Sequence, residues 1–141
     1  MKVRLAKRGE VKLQDLVEEV KRSEGFRECG AIVVFNGVVR GVGHDGSPVK
    51  KLVYEAYEEV ALRRLEEIRR EVLERTGAKE LLIVHVVDEL RQGEDTVFIV
   101  AASAHRAEAF KAAMEALELV KSRAPIWKKE VTEKGESWVS G

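Results

Sequence analysis

The hydrophobic positions along this chain change their period several times, and each change predicts a new element. Apolar residues three and four apart predict helices around residues 13–20, 60–73 and 110–120. Alternating or continuous apolar runs predict strands over residues 3–6, 30–40, 51–57, 81–87, 96–102, 126–132 and 136–139. This mixed order of strands and helices is typical of an α+β fold.

Glycine residues mark the ends and irregularities of several predicted elements. Gly25 and Gly77 are expected to end the first and second helices. Gly37 lies inside the strand over residues 30–40 and indicates a bulge or a close backbone approach. That strand is apolar on both faces, which favours a central position in its sheet.

The third helix has an apolar middle with clear predicted ends. Ser103 is expected to cap it, and Pro125 is expected to stop it near Arg123. Two tryptophans follow it, Trp127 and Trp138, which are expected in the core or at a subunit interface. The residues that form the apolar face of this helix are Phe110, Ala113, Met114, Leu117 and Val120.

The first turn of this helix is basic, because it holds His105 and Arg106. Free backbone N–H groups at a helix N-terminus bind phosphate well, and a cation there is unfavourable unless an anion is present. Arg106 can add two parallel hydrogen bonds to such an anion. The pattern indicates a local anion site, with an ordinary solvated first turn as the alternative.

Lysines lie on both sides of the proline that ends the helix. Lys121 is near the helix C-terminus, where a positive charge is favoured. Lys128 and Lys129 follow in a strand, so they take opposite faces and cannot both contact one ligand. A lysine that is partly desolvated beside other cations has a lowered pKa and can act as an acid, a base or a nucleophile. The alternative is that all three are plain surface lysines.

Size and charge narrow the possible functions. The 141 residues suit a single domain over residues 1–141. The 25 basic and 25 acidic residues cancel, so no overall field attracts nucleic acid or an anionic membrane, and an anion site must be local. No apolar run approaches the roughly 18 residues of a membrane span, and the first residues lack a signal core. We therefore expect a soluble, cytoplasmic protein.

Several familiar chemical patterns are missing. His44, His85 and His105 lack the spacing of a metal site, so no metal is expected. Cys29 is alone and is interpreted as a small structural residue rather than a reactive thiol. The glycines of residues 41–46 match a dinucleotide spacing only by letter count, because a strand rather than a helix follows them. No cofactor is expected, and this loop is predicted to be mobile.

Five segments together resemble the large, catalytic subunit of molybdopterin synthase, the MoaE family. They are residues 30–40, 52–57, 92–94, 103–110 and 121–130. The most specific parts are Ser-Ala-His-Arg at 103–106 and Pro-Ile-Trp-Lys-Lys-Glu at 125–130. The resemblance implies an α/β hammerhead-like mixed sheet with flanking helices and an added antiparallel subdomain.

The resemblance also implies an activity and its partners. The family forms the dithiolene of the molybdenum cofactor from cyclic pyranopterin monophosphate. Sulfur comes from a small ubiquitin-like subunit whose C-terminal Gly-Gly carries a thiocarboxylate, and the large subunits form a homodimer within a heterotetramer. The residues alone leave a second possibility open, a non-enzymatic α+β module that binds a phosphorylated ligand or a partner's tail.

Individual residues take roles by the same resemblance. Lys121 and Lys128 would be the catalytic residues, which act in general acid–base catalysis and stabilise an oxyanion. This hypothesis requires both ammonium groups to reach one pocket from either side of the proline. The substrate-binding residues would be Arg40, His105, Arg106 and Lys129, with the phosphate near the helix start and Lys129 beside the channel for the partner's tail.

Overall fold

A computed structural model describes residues 1–139 of the chain. A short 3₁₀ helix, Glu24–Glu28, and the two-residue strand β5 are the only additions to the predicted order within those residues, so the predicted α+β class is confirmed. The elements are β1 (Val3–Ala6), α1 (Leu13–Lys21), β2 (Ala31–Val38), β3 (Val49–Ala56), α2 (Glu58–Thr76), β4 (Glu80–Val86), β5 (Glu89–Leu90), β6 (Asp95–Ser103), α3 (Arg106–Arg123), β7 (Ile126–Thr132) and β8 (Gly135–Val139).

The strands form two four-stranded sheets. The first has the order β1-β4-β6-β2, with β1 and β4 parallel and the other pairs antiparallel. The second has the order β5-β3-β7-β8 and is antiparallel throughout. These are the mixed sheet and the added antiparallel subdomain that the resemblance implied.

Helices cover both faces of the first sheet and create its core. Leu82 of β4 packs with Leu16 of α1 on one face, whereas Ile83 packs with Ile68 of α2 on the other. Successive side chains alternate between the faces, so a strand covered on both sides must be apolar at every position. Accordingly β4 is buried along its whole length.

Strand β2 lies at the edge of the first sheet, so the prediction of a central strand is wrong. Its pairing partner among the described strands is β6. Ile32 packs toward the α1 side, and Val33 packs toward the side of α2 and α3. Apolar residues on both faces of a strand show that both faces are covered, and they carry no information about its lateral neighbours.

Three glycine predictions have different outcomes. The register shifts at Gly37, where an added Cβ would lie 2.6 Å from Thr96 Oγ1, so the predicted irregularity is confirmed. Gly77 has φ 78° and caps α2 as predicted. Gly25 does not end α1, because the helix is already capped by Arg22 and Gly25 lies in the following 3₁₀ helix.

Helix α3 begins later than predicted and ends where expected. Its N-cap residue is His105, which is extended and makes no side-chain capping bond. Ser103 belongs to β6 and its hydroxyl donates to the carbonyl of His105, so the prediction that Ser103 caps the helix is wrong. The helix stops at Arg123, two residues before Pro125.

The buried face of α3 consists mainly of small side chains. Phe110 and Met114 are 62% and 60% exposed, so their assignment to the packed face is wrong. Alanines occupy the positions against the core, where their small size lets the helix lie close to α2 and the sheet. The buried residues of the helix are Ala109, Ala112, Ala113, Ala116 and Val120.

Candidate active site

The bend after α3 brings two lysines to one cavity. The Ile126 N–H donates to the Ala124 carbonyl at 2.8 Å, and the Tyr57 N–H donates to the Pro125 carbonyl at 3.1 Å, which together hold the bend. Lys121 before it and Lys128 after it both line a cavity of about 1070 Å³. This is the convergence that the catalytic hypothesis requires, and the catalytic roles themselves stay predictions.

The cavity lies between the two sheets, beside the last turns of α3. One wall comes from β2, and apolar residues of α3 and the exposed Trp127 and Trp138 border the opening. Three less accessible polar residues form what we call the floor: Tyr54 of β3, His85 of β4 and Thr96 of β6. The floor therefore comes from β3, β4 and β6, whereas Lys121 comes from the last turn of α3 and Lys128 from β7.

Lys128 is a half-buried cation among other cations. It lies opposite Tyr54 in the register of β7 and β3. Burial lowers the pKa of its ammonium group, and the positive charges of Lys121 and Arg40 lower it further, against an opposing effect of Glu130. A lysine in this setting exchanges protons more readily near neutral pH than an ordinary surface lysine does.

Arg40 is held near Lys128 by backbone bonds of its neighbour. The buried Val39 donates to the Glu94 carbonyl at 3.0 Å and accepts from the Gly93 N–H at 2.8 Å. Arg40 follows directly, with an exposed side chain whose charge acts on Lys128. The predicted substrate-binding Arg40 thus lies close to the lysine pair.

The glycine-rich loop after Arg40 is attached to the strand that carries Lys128. The buried carboxylate of Glu130 accepts a hydrogen bond from the His44 backbone N–H at 3.2 Å and lies 2.7 Å from His44 Nδ1. A Cβ added to Gly43 would collide with the same carboxylate. Glycine at this position allows the loop to approach β7 with the Glu130 carboxylate in this place, which a larger residue would displace.

Lys129 takes the opposite face of β7 from Lys128, as strand alternation predicted. Its Nζ lies 3.3 Å from Glu136 Oε1 and 5.5 Å from the centre of the Trp138 ring. This places Lys129 in contact with β8, away from the lining of the cavity. Its predicted role beside a partner's tail stays a prediction.

His105 and Arg106 lie at the other end of α3 from the lysine pair. Fifteen residues separate Arg106 from Lys121, which is about 22 Å along a helix axis. Both side chains are exposed, and neither lines the cavity. A single chain therefore brings together Lys121, Lys128 and Arg40, and it keeps His105 and Arg106 apart from them.

Sequence reasoning missed the cavity floor. Tyr54 is within a segment that carried the family resemblance, but its position opposite Lys128 follows from a long-range strand pairing. His85 was considered only as a metal ligand. A single histidine in a strand that is otherwise almost entirely apolar was the available signal for it.

Other sites are not found in the part of the chain that the structure describes. No group of three His, Cys, Asp or Glu residues within residues 1–139 is arranged to hold a metal ion. None of the described helices is both long and apolar enough to cross a membrane. Cys29 is half-buried, and burial raises the pKa of its thiol, which favours the structural interpretation of this residue.

Comparison with known proteins decides the family. Residues 7–123 match the model of the MoaE protein family. The chain belongs to the MoaE family. It is 42% identical over 125 residues to the molybdopterin synthase catalytic subunit of Pyrococcus abyssi, an alignment that covers 89% of this chain and 84% of that protein.

Solved structures agree with this family assignment. Molybdopterin synthase from Staphylococcus aureus superimposes with a TM-score of 0.84 at 32% identity, over 98% of this chain and 96% of that one. A complex of subunits 1 and 2 of the molybdopterin-converting factor from Helicobacter pylori has a TM-score of 0.76 over 99% and 90%, and at 19% identity it supports the fold alone. The predicted family, fold class and enzyme class are therefore confirmed for this MoaE chain.

Proposed function

We propose that this chain is the catalytic subunit of a molybdopterin synthase that acts on cyclic pyranopterin monophosphate. It transfers sulfur to this substrate from the thiocarboxylated C-terminus of a small ubiquitin-like subunit and so forms the dithiolene. The observation that carries the proposal is the placement of Lys121 and Lys128 on one cavity, with the pKa of Lys128 lowered by burial and by neighbouring cations.

The chemistry requires both proton transfer and stabilisation of negative charge. The partner's sulfur forms a bond to a substrate carbon while a carbon–oxygen bond of that carbon breaks and the oxygen leaves with a proton, and hydrolysis then breaks the bond between that sulfur and the partner's carbonyl carbon. A second thiocarboxylated tail supplies the second sulfur of the dithiolene in the same way. The hydrolysis passes through a tetrahedral oxyanion, releases the partner's carboxylate and leaves sulfur on the pterin. We assign the proton transfer to Lys128, whose pKa is lowered, and the stabilisation of the oxyanion to Lys121.

The opening of the cavity suits the entry of a narrow tail. Trp127 and Trp138 are 50% and 59% exposed at this opening, and exposed aromatic residues are common in protein interfaces. An extended Gly-Gly terminus has no side chains to exclude and advances about 3.4 Å per residue. The Helicobacter relative was solved as a complex of two subunits, which supports a small-subunit partner here, with Lys129 beside its path.

We also propose that the chain works as a homodimer in which the second copy supplies His105 and Arg106 to the site. In one chain these residues lie about 22 Å from Lys121 along α3, which is too far for them to share a small ligand. The same helix exposes Phe110 and Met114, an apolar pair that a subunit contact would bury. One such dimer together with two small subunits gives the heterotetramer.

Reconstitution with a thiocarboxylated partner tests the assignment of the lysines. Lys121→Ala and Lys128→Ala should each lower dithiolene formation by about 100-fold or more, which is the usual effect of losing a general acid–base group. Lys50→Ala is the matched control, because Lys50 is an exposed lysine of the second sheet that does not line the cavity. Unchanged turnover in either variant, with folding and partner binding intact, would contradict the enzymatic role and favour a binding module.

Mixed dimers test the shared site. Lys128→Ala and Arg106→Ala should each be inactive alone, because each damages every site in its own homodimer. After random exchange of subunits, half of the dimers contain one intact site, so activity should return to about one quarter of the wild-type value. A mixture that stays inactive despite confirmed exchange would show that the two basic clusters do not complete one site across the subunits.

The proposed location is the cytoplasm. Cys29 is the single cysteine of the chain and makes no disulfide in the structure. Free thiols persist in reducing compartments, which also preserve a partner's thiocarboxylate.

A further inference from the structure

His85 is a buried histidine whose imidazole borders the cavity. The residue is 7% exposed and lines the floor together with Tyr54 and Thr96. It lies in β4 and is paired on one side with Leu5 of β1 and on the other with Val97 of β6. A residue held between two strands has a fixed backbone, and the contacts of the ring with Val86 and Tyr54 then determine its orientation.

One hydrogen bond determines which ring nitrogen carries the proton. His85 Nδ1 lies 2.9 Å from the carbonyl oxygen of Val86. A carbonyl oxygen only accepts hydrogen bonds, so Nδ1 must be the donor. In the neutral ring Nε2 then has no proton and presents a lone pair.

The surroundings keep this imidazole uncharged. Burial is the main cause that lowers the pKa of His85 to about 4. The hydrogen bond to the Val86 carbonyl opposes this shift, and the positive charge of Lys128, the smallest of the three effects, lowers the pKa further. The ring also packs edge-on against Tyr54, with ring centres 4.9 Å apart. At neutral pH His85 is therefore a hydrogen-bond acceptor at Nε2 and cannot act as another cation.

Nε2 lacks a partner among residues 1–139, where the only hydrogen bond of the ring is the one at Nδ1. Among the described residues the buried side-chain atoms without a partner are two glutamate oxygens and not this nitrogen, so Nε2 is accessible from the cavity that His85 lines. A ligand in the cavity that brings a donor can therefore replace water as its partner. The cations of the site, Lys121, Lys128 and Arg40, can only donate. An acceptor on the floor of a cavity whose nearby cations can only donate therefore selects a feature of the ligand that the cations cannot recognise.

We propose that His85 is a specificity-determining residue, whose Nε2 accepts a hydrogen bond from an N–H group of the uncharged pterin ring. The inference rests on the proposed function, because it describes how the same site selects its substrate. The cations bind the anionic part of the substrate, and the floor distinguishes a nitrogen heterocycle from any other phosphate ester of similar size. Neither the cations alone nor the floor alone provides that selectivity.

Two substitutions distinguish the donor role of His85 Nδ1 from the acceptor role of Nε2. His85→Asn keeps a donor near the position of Nδ1 and removes the acceptor at Nε2, whereas His85→Gln places an amide oxygen near the position of Nε2. In the reconstituted complex, H85N should raise KM for cyclic pyranopterin monophosphate by roughly 10- to 100-fold with little change in kcat, since one hydrogen bond to a buried group is lost. H85Q should recover part of that loss.

Inorganic phosphate provides the control ligand. As a competitive inhibitor it should bind H85N and the wild type equally well, because it contacts the cations and not the floor. A KM unchanged in H85N, or phosphate inhibition weakened in parallel with KM, would overturn the inference. This result is distinct from failure of the proposed function, which would appear as full turnover in the Lys121→Ala and Lys128→Ala variants.

A measurement on the unsubstituted protein covers the case in which these variants fold poorly. With ¹⁵N-labelled histidine, the Nε2 resonance of His85 should move upfield when cyclic pyranopterin monophosphate binds to the complex, as expected when a bare ring nitrogen accepts a hydrogen bond. It should not move when inorganic phosphate is added. An Nε2 resonance that does not shift when the pterin binds would also overturn the inference.

Discussion

Two partly buried charges, Glu80 at the edge of the core and Lys128 at the cavity, have opposite surroundings. Glu80 forms ion pairs of 2.8 Å with Lys2 and 2.7 Å with Arg69 and also accepts from the Leu81 N–H at 2.9 Å. Lys128 is instead close to the cations Lys121 and Arg40, and Glu130, whose negative charge opposes their effect, also binds His44. The negative charge of Glu80 is neutralised by its neighbours, whereas the positive charge of Lys128 is repelled by the cations near it.

The pKa of each group is lowered, but the consequences differ. Burial raises the pKa of Glu80, and the hydrogen bonds from Lys2, Arg69 and Leu81 lower it by more, so the net shift favours the charged carboxylate. For Lys128 the lowered pKa means that the charged form is disfavoured. A charged group with a structural role thus has partners of opposite charge, as Glu80 does. A group whose charged form is disfavoured by its surroundings, as in Lys128, is a candidate for a catalytic role.

The largest effect expected from this contrast concerns activity. Lys128→Met should reduce sulfur transfer by about 1,000-fold, because the acid–base group is lost. The same substitution should leave the midpoint of urea unfolding unchanged or raise it, because it removes a half-buried cation from a cluster of cations. Kinetics of the reconstituted complex and urea titration of the isolated chain measure the two effects, and clear destabilisation would contradict the contrast.

Glu80→Gln should have the reverse effect, with a large loss of stability. The substitution removes the nearer carboxylate partner of Arg69, whose side chain is only 16% exposed, and leaves it the longer 3.7 Å pair with Glu66. The free energy of unfolding should fall by about 3 kcal/mol, which is the range for breaking a buried ion pair. Urea unfolding measures this value, and Glu67→Gln, which breaks an exposed pair with Arg64, should cost less than about 0.5 kcal/mol.

The pH dependence of stability should follow from the direction of the Glu80 shift. The folded pKa is lowered below the ordinary value of 4.5, so the stabilisation is fully present above about pH 4.5. It is lost as the pH falls through the lowered folded pKa, where the carboxylate is protonated. Urea titrations from pH 7 to pH 3 should show a smaller acid-dependent loss in Glu80→Gln than in the wild type, and equal losses would contradict this assignment.

The smallest effect is a change in the pKa of Lys128 itself. Lys121→Gln removes a neighbouring positive charge, so the pKa of Lys128 should rise towards its ordinary value. The rise should be incomplete, because burial is the larger cause of the shift. Titration of ¹³C-methylated lysines by NMR, with Lys128 identified by its absence in Lys128→Met, measures the change, and a lower pKa would be the contradictory result.

The sequence predicted those features that depend on local periodicity. The order of helices and strands, the cap at Gly77 and the opposite faces of Lys128 and Lys129 all follow from the repeat of each element. The shared cavity of Lys121 and Lys128 followed from a bend at Pro125 and from the family resemblance. The element order, the cap and the alternation are each determined by residues that are close together in the chain, whereas the walls of the cavity come from distant strands.

Features that depend on distant contacts were not predictable in the same way. The edge position of β2 and the pairing of Glu80 with Lys2 depend on which elements meet in the folded chain. The exposure of Phe110 depends on the alanine face of α3 being the one that packs. The distance between Arg106 and Lys121 could have been predicted from the sequence, because the rise per residue of a helix determines how far apart its two ends lie.

The alternation of side chains along β7 restricts how this protein can vary in evolution. Lys128 reaches the cavity and Lys129 reaches β8 because each is a fixed number of residues from Pro125. Insertion of one residue between Pro125 and Lys128 would exchange the two lysines between the faces and place the wrong ammonium group in the cavity. Relatives that retain the activity should therefore keep the length of this segment constant, even where the turn between β7 and β8 gains or loses residues.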